Sequence, residues 1–351
     1  MARKLNALLF LLLTASGCGA LLWRLFQQPA PPRGGWLDGG ITTALDQQIR
    51  RAMPASGALD QRLNGLLYAV TGDTGPQVRA GCDGWLFLAE ETAATPHGDA
   101  NFHQRLRLAT LLQATLAQRG VALVSLPIPD KVELAHAQLC GLPVSAQARS
   151  RSQAWRAASG GIPLAAWVDL HEGWPAPGYW RTDTHWDRSG AGFAALRVAG
   201  AVRKLVPAGD TAMHETVAAA PSQRVGDLAR LAGLAHNAPP FGPPQEYDRI
   251  RTLEIERGGS LLDEVAPPRV LLAGSSYSLN SGFADALQLA LRQEVSQQSR
   301  TGSGFAGSLL EVLAHPQRLD GVAVVVWEWP LRALYQPLTT EETDWLQLHQ
   351  S

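Results

Sequence analysis

Two short segments far apart in the chain carry residue types that together can do acyl chemistry. The first is Tyr179-Trp180-Arg181-Thr182-Asp183-Thr184-His185-Trp186, which sets a carboxylate and an imidazole two residues apart. The second is Val270-Leu271-Leu272-Ala273-Gly274-Ser275-Ser276-Tyr277-Ser278, a serine-rich turn after an apolar run. A serine hydroxyl is a weak nucleophile until an adjacent base takes its proton, and that base needs a third group to hold one tautomer. In an extended loop, alternation puts Asp183 and His185 on one side. Asp183 can then accept one imidazole N–H and leave the other ring nitrogen to face a serine. Each half also has a plainer reading. The histidine can be a hydrogen-bonded loop residue, and Ser275, Ser276 and Ser278 can be turn and capping residues. Asp183, His185 and Asp187 alternate as metal ligands might, but metal sites usually recruit several His or Cys residues and no second histidine stands nearby, so no metal is expected.

The elements that would hold these segments alternate along the chain. Residues 102–119 have apolar positions at helical spacing and stop at Gly120; 121–126 is a continuous β-rich run ending in Pro127-Ile128-Pro129, a rigid loop. A short strand lies within 162–170. Asp187 or Ser189 can cap a helix running to about Val206. Residues 270–273 read as a strand, 283–294 and 308–314 as helices, and 322–327 as the last strand. Strands alternating with helices argue an α/β domain with a mainly parallel sheet. In such sheets ligands sit beyond the carboxyl ends of strands, where Ser276 stands. The Pro- and Gly-rich stretch 207–268 reads as insertion and loop, and 81–88 as a turn feeding a short strand.

The composition limits the function. Of 351 residues, 46% are hydrophobic and 17% charged, enough apolar material for a sizeable core, and the net charge of -1 gives no electrostatic case for nucleic acid. Tryptophan is abundant at eleven; exposed tryptophans often stack on sugar rings, but core packing is the plain reading for most of them. Arg3 and Lys4 precede an uncharged, mostly apolar stretch from Leu5 to Trp23, and about 20 such residues span a bilayer core. The charges before it keep the N-terminus cytoplasmic and send the rest across. An uncleaved anchor is expected, with a cleaved signal peptide or a lipoprotein signal at Cys18 as alternatives. The body is then exported, so Cys82 and Cys140 share an oxidising compartment, where a disulfide and two separate buried thiols are both open readings. Residues 27–35 read as a linker and 41–53 as helical.

Four segments in order resemble the AlgX/AlgJ family of SGNH-hydrolase-like polysaccharide O-acetyltransferases. They are Gly81-Cys82-Asp83-Gly84-Trp85-Leu86-Phe87, Pro127-Ile128-Pro129-Asp130-Lys131, Thr182-Asp183-Thr184-His185-Trp186 and Gly274-Ser275-Ser276-Tyr277-Ser278. The Asp-x-His spacing, standing before the serine turn, is the most specific of these. The resemblance implies a three-layer α/β/α fold with a mainly parallel sheet. It implies Ser276 as nucleophile, His185 as base and Asp183 as its orienting partner, with an acetyl-enzyme intermediate and no cofactor. Ser275 and Cys82 depart from the commoner residues of the family at their positions.

The expected organisation is an anchor at 1–26, a linker and helix at 27–60, a catalytic domain at 61–340 and a tail at 341–351. Asn280 and Gly304 are candidates for the oxyanion site. Tyr277 and Trp186 are candidate sugar-stacking residues, and Lys131 either contacts an acidic sugar or pairs with a carboxylate. The resemblance further implies a periplasmic body at the inner membrane, an exopolysaccharide acceptor such as alginate or cellulose, and a membrane-bound O-acyltransferase partner. A carbohydrate acetyl esterase using the same residues, or a non-catalytic scaffold of an export complex, are the rival readings.

Overall fold

The computed structural model describes residues 2–27, 57–256 and 267–349. Residues 1–63 and 64–351 form two separate compact units. The linker and the helix expected at 27–35 and 41–53 lie outside the described residues. In the first unit, α1 (Ala2–Phe26) covers the expected anchor. Among the described residues no helix is long and apolar enough to cross a membrane.

The second unit is built on a five-stranded sheet. In chain order its elements are α2 (Gly57–Thr71, begun in the first unit), β1 (Val78–Ala80), β2 (Leu86–Leu88), α3 (Ala89–Thr92), α4 (Gly98–Ala117), β3 (Ala122–Ile128), α5 (Lys131–Leu134), α6 (Ala146–Ser159), β4 (Ala166–Trp167) and α7 (Arg188–Val202). Then follow β5 (Ala212–Val217), β6 (Ser222–Arg224), α8 (Asp227–Leu231), β7 (Glu246–Asp248), β8 (Arg251–Glu256), β9 (Val270–Ala273) and α9 (Ser276–Leu279). The chain closes with α10 (Phe283–Leu291), β10 (Val295–Gln297), α11 (Gly307–Ala314), β11 (Val324–Pro330) and α12 (Thr340–Leu348). The sheet order is β10-β9-β11-β3-β4, and every pair is parallel.

Both faces of this sheet are covered, which is why its strands read as continuous apolar runs rather than alternating ones. Leu123, Leu271, Ala273, Val325 and Trp327 point to one side, against Leu108, Leu112 and Leu116 of α4, Trp155 of α6 and Leu309 and Val312 of α11. The intervening Val124, Leu126, Val270, Leu272, Val324 and Val326 point to the other. There they meet Ala191, Ala194, Ala195 and Val198 of α7 and Phe283, Leu287 and Leu291 of α10. Period-two alternation across two helical layers gives the three-layer α/β/α sandwich expected from the sequence. The small side chains of α7 let it lie close to α10.

Two segments depart from expectation. Residues 127–128 do not form a loop: β3 runs on through Pro127, which is opposite Trp329 of β11. The missing N–H is tolerated because β4 pairs with β3 only at Val124 and Ser125, so Pro127 has one strand neighbour and not two. Residues 207–256 are more ordered than their composition suggests. They form two antiparallel pairs, β5 with β8 and β6 with β7, and the helix α8. Leu228, Ala229 and Leu234 pack on Val78 and Leu86 in a small core of their own, which fastens α8 to the β1–β2 hairpin.

Asp187 caps α7, accepting from Ser189 N and Gly190 N. Cys82 and Cys140 form a disulfide whose Cα atoms are 5.5 Å apart and which spans 58 residues of sequence. Chain-entropy arguments give a loop of that length about 4 kcal/mol of stabilisation. The Cys82→Ser/Cys140→Ser double variant should therefore lose about 2–4 kcal/mol in urea unfolding, and reduction of the parent protein should give the same loss. A change below about 0.5 kcal/mol in both experiments would show that the bridge carries no stability.

Candidate active site

The site lies at the carboxyl ends of three adjacent strands. β9 ends at Ala273 and leads into Gly274-Ser275-Ser276; β11 carries Glu328; β3 leads to Asp130 and Lys131. The fourth contributor is the loop 179–186, fixed by the isolated bridge between Tyr179 and Trp186.

Ser276, His185 and Asp183 form a continuous hydrogen-bonded line. His185 Nε2 is 2.8 Å from Ser276 Oγ, and His185 Nδ1 is 2.6 Å from Asp183 Oδ1. The same Asp183 oxygen accepts His185 N at 2.9 Å, so the carboxylate holds both the ring and its backbone. Asp183 Oδ2 accepts from Arg224 Nη2 at 2.8 Å and from Asp227 N at 3.0 Å. Burial alone would raise the Asp183 carboxyl. The interactions with His185, hydrogen bonds foremost, and the Arg224 guanidinium override this and hold it well below the usual carboxylate range. A carboxylate that accepts Nδ1–H leaves Nε2 free to take a proton from Ser276.

The serine turn hangs on a second carboxylate. Glu328, 2% exposed, accepts from Ser275 N at 2.7 Å, Ser275 Oγ at 2.7 Å, Ser278 N at 3.1 Å and Ser278 Oγ at 2.6 Å. Burial pushes its carboxyl above the ordinary value, and the hydrogen bonds from Ser278 and Ser275 oppose that. Gly274 is required by this approach: a Cβ there would collide with Ser278 Oγ and stand 2.9 Å from Glu328 Oε2. The Gly274 carbonyl is itself held by Ser308 Oγ at 2.6 Å and Arg300 N at 3.0 Å.

Lys131 differs from both expectations for it. It is fully buried and neither meets a sugar nor pairs with a carboxylate. Its Nζ donates to the carbonyls of Leu86 at 2.6 Å, Arg181 at 2.9 Å and Asp183 at 2.9 Å, over the rings of Trp85 and Phe87. Burial pulls its pKa down to about 8, against the pull of Glu91, Glu246, Asp183 and Asp227, so at pH 7 it still has three protons for three carbonyls. Trp186 and Tyr277 are likewise buried rather than offered to sugars. Trp186 Nε1 donates to Tyr277 O at 3.1 Å, and Tyr277 Oη to Thr184 O at 3.0 Å, which ties the histidine loop to the serine turn.

A cleft of about 610 Å³ opens over the line. Its walls include Asp183, His185, Ser276, Asn280, Arg224 and Asp227. Asn280 is thus at the site, with Nδ2 donating to Ser276 O at 2.8 Å. Gly304 is not on the cleft wall; Thr301 takes that position.

Sequence reading missed Arg224, Asp227 and Glu246, all from the segment taken for loop. Glu246 receives the N–H groups of Arg181 at 2.7 Å and Thr182 at 2.9 Å, and the Thr182 hydroxyl, so β7 fixes the loop just before Asp183. Asp227 receives Thr184 N at 2.7 Å.

Asp183, His185 and Asp227 place one donor atom each within 4.8 Å of one another, which is metal-like spacing. Those atoms are committed: Nδ1 to Asp183, the Asp183 oxygens to His185 and Arg224, and an Asp227 oxygen to Thr184. A cation would also stand against the Arg224 guanidinium. Asp187, the third residue of the alternating set, is used in the α7 cap.

Because the folded Asp183 pKa is depressed, its stabilising effect is present above the unfolded value near 4 and is lost as pH falls below that. The stability gap between the parent protein and Asp183→Asn should not narrow between pH 8 and pH 5 and should narrow below about pH 4 in urea titrations. Narrowing between pH 7 and pH 5 would mean that the carboxyl titrates in the ordinary range or above it.

Residues 78–331 match the family model described as SGNH hydrolase-like domain, acetyltransferase AlgX. A relative named probable alginate O-acetylase AlgJ from Pseudomonas aeruginosa is 28% identical over 342 residues, covering 88% of this chain and 84% of its own. The protein of the same name from Pseudomonas putida is 31% identical, covering 74% and 70%. Among solved structures, the O-acetyltransferase domain of Pseudomonas putida AlgJ superposes with a TM-score of 0.65 at 27% identity, covering 78% of this chain and 98% of that domain. The family match over residues 78–331 and these relatives show that the chain is an acyltransferase and belongs to the AlgX family of SGNH hydrolase-like acetyltransferases.

Proposed function

We propose that this protein transfers acetyl groups to hydroxyls of a secreted polysaccharide, through Ser276, His185 and Asp183. The observation that carries the reading is the hydrogen-bonded line from Asp183 through His185 to Ser276, opening on a cleft roomy enough for sugar rings. His185 Nε2 takes the Ser276 proton as Oγ attacks the carbonyl carbon of an acetyl donor. The resulting imidazolium is stabilised by Asp183 and returns the proton to the leaving group as the donor bond breaks. An acetyl-serine and the free leaving group remain. A sugar hydroxyl then attacks the acetyl carbon, His185 takes its proton, and the proton passes to Ser276 Oγ as the enzyme is restored. The developing oxyanion needs donors. Ser276 N–H is one, and Asn280 Nδ2 stands close enough to serve as a second.

The named relatives are alginate O-acetylases, which supports a polysaccharide acceptor, alginate among the candidates. The Cys82–Cys140 bridge supports an oxidising compartment. With the apolar run from Leu5 to Trp23 behind Arg3 and Lys4, this supports a periplasmic body on an N-terminal anchor at the inner membrane. A membrane-bound O-acyltransferase on the same membrane would supply the acetyl group.

Purified protein incubated with an acetyl-ester donor and candidate oligosaccharides should add acetyl mass to the sugar. Ser276→Ala, His185→Ala and Asp183→Asn should each lower the rate by about 10³-fold or more. Near-full transfer by Ser276→Ala would overturn the nucleophile. Acetate release with no mass gain on any sugar would assign the chain to the esterases instead.

A further inference from the structure

We propose that Glu328 is a positioning residue for acyl transfer, acting through the serine turn rather than on the substrate. This inference rests on the reading of Ser276 as the nucleophile. It starts from a count of donors. Four consecutive residues, Ser275 to Ser278, each have one backbone N–H. Ser275 N and Ser278 N are spent on Glu328 Oε2, and Tyr277 N on Ser275 Oγ at 3.2 Å. Ser276 N–H alone has no partner among the described residues. Ser275 Oγ, which holds Tyr277 N, is itself held by Glu328 Oε1. One buried carboxylate thereby sets the direction of three N–H groups and turns the fourth loose for an oxyanion.

The Glu328 carboxylate accepts four donors, three at Oε2 and one at Oε1, so its position is over-determined. Its location makes that rigidity useful. Glu328 is on β11, the strand between β9, which carries the serine turn, and β3, which leads to Lys131. Glu328 is opposite Leu126 in the β11–β3 register, one residue beyond Trp327, the last β11 residue paired with β9, at Ala273. The side chain reaches over the end of the neighbouring strand into the turn that follows it. Movement of the carboxylate would move Ser276 Oγ relative to His185 Nε2, and a misplacement of about 1 Å is enough to cost about 100-fold in rate.

Length and charge can be separated. Glu328→Asp keeps the charge and draws it back from the turn by about 1.5 Å. In Glu328→Gln the amide oxygen can still accept from Ser275 N, Ser278 N and Ser278 Oγ, while the amide nitrogen donates to Ser275 Oγ, which has a lone pair to offer. Ser278→Ala removes one donor in a small step that leaves the fold least disturbed. The readout is turnover of p-nitrophenyl acetate, with thermal unfolding measured alongside and Ser276→Ala as control. Positioning predicts that Glu328→Asp lowers kcat by about 30- to 100-fold with KM within about threefold, that Glu328→Gln recovers most of that loss, and that Ser278→Ala lowers kcat by about 3- to 10-fold. The role is overturned if Glu328→Asp, or Ser278→Ala where the Glu328 variants do not fold, leaves kcat within twofold while Ser276→Ala abolishes turnover. It is also overturned if Glu328→Gln is as poor as Glu328→Asp although both are folded, since charge and not placement would then be what the site needs. Turnover that survives Ser276→Ala would instead remove the underlying reading of the nucleophile.

Discussion

The ammonium of Lys131 holds the site together. Its three protons go to carbonyls from two segments that do not touch in sequence, Leu86 on the β1–β2 hairpin and Arg181 and Asp183 in the histidine loop, while Lys131 itself follows β3. Three of the four sequence segments that suggested the family therefore meet at one nitrogen. The fourth is joined to them by Tyr277, whose hydroxyl donates to Thr184 O. Without a cation at that point, the carbonyls of Leu86 and Asp183 would lose a donor beside the rings of Trp85 and Phe87, each at a desolvation cost of about 1–3 kcal/mol, and Arg181 O would keep only Leu86 N at 3.0 Å. The ammonium converts that cost into a fixed geometry for the backbone that carries Asp183.

Further charge is buried behind Lys131 on the same logic. Arg151 pairs with Asp130 at 2.6 Å, and Arg332 reaches both Glu91 at 3.4 Å and Tyr277 Oη at 3.5 Å. Burial and the neighbouring Asp130 push Glu91 up to about 8, despite Arg332, Lys131 and Arg151. Burying ions is expensive, and pairing recovers only part of the expense. The return is specificity of position. Asp130 and Lys131 follow the end of β3, Arg332 follows the end of β11, and Tyr277 stands in the turn after β9. The network thus links the ends of the three strands that carry the candidate site.

The line from Asp183 through His185 to Ser276 was legible in sequence because it uses local patterns. Asp183 and His185 are two residues apart, and Ser276 follows an unmistakable apolar strand. The parallel sheet was legible for a similar reason, since strands buried on both faces read as unbroken apolar runs. What escaped depends on burial or on long-range pairing. Trp186 and Tyr277 looked like sugar platforms because an aromatic beside a catalytic residue has the same letters whether it faces the cleft or the core. Lys131 was read as a partner for an acidic sugar or a carboxylate, because three carbonyl partners leave no trace in sequence. Arg224, Asp227 and Glu246 sit in a stretch whose Pro and Gly content hid two β-pairs and a helix.

Glu328 is the instructive case. The last strand was read as ending at Trp327, because a charge after six apolar residues resembles a strand leaving the core. In the fold the strand continues through Pro330 and the glutamate is as buried as its neighbours. A charged residue flanked by Trp327 and Trp329, in a run that stays apolar on both sides of it, is a signal that the charge has buried donors to meet. In a parallel sheet those donors belong to whatever follows the adjacent strand. Here that is the serine turn after β9, and the same geometry that puts an active site at the carboxyl edge of a parallel sheet puts a carboxylate on the central strand underneath it. Asp183 holds the His185 ring, Glu328 holds the turn that carries Ser276, and His185 and Ser276 meet at 2.8 Å between two buried carboxylates that each accept four hydrogen bonds.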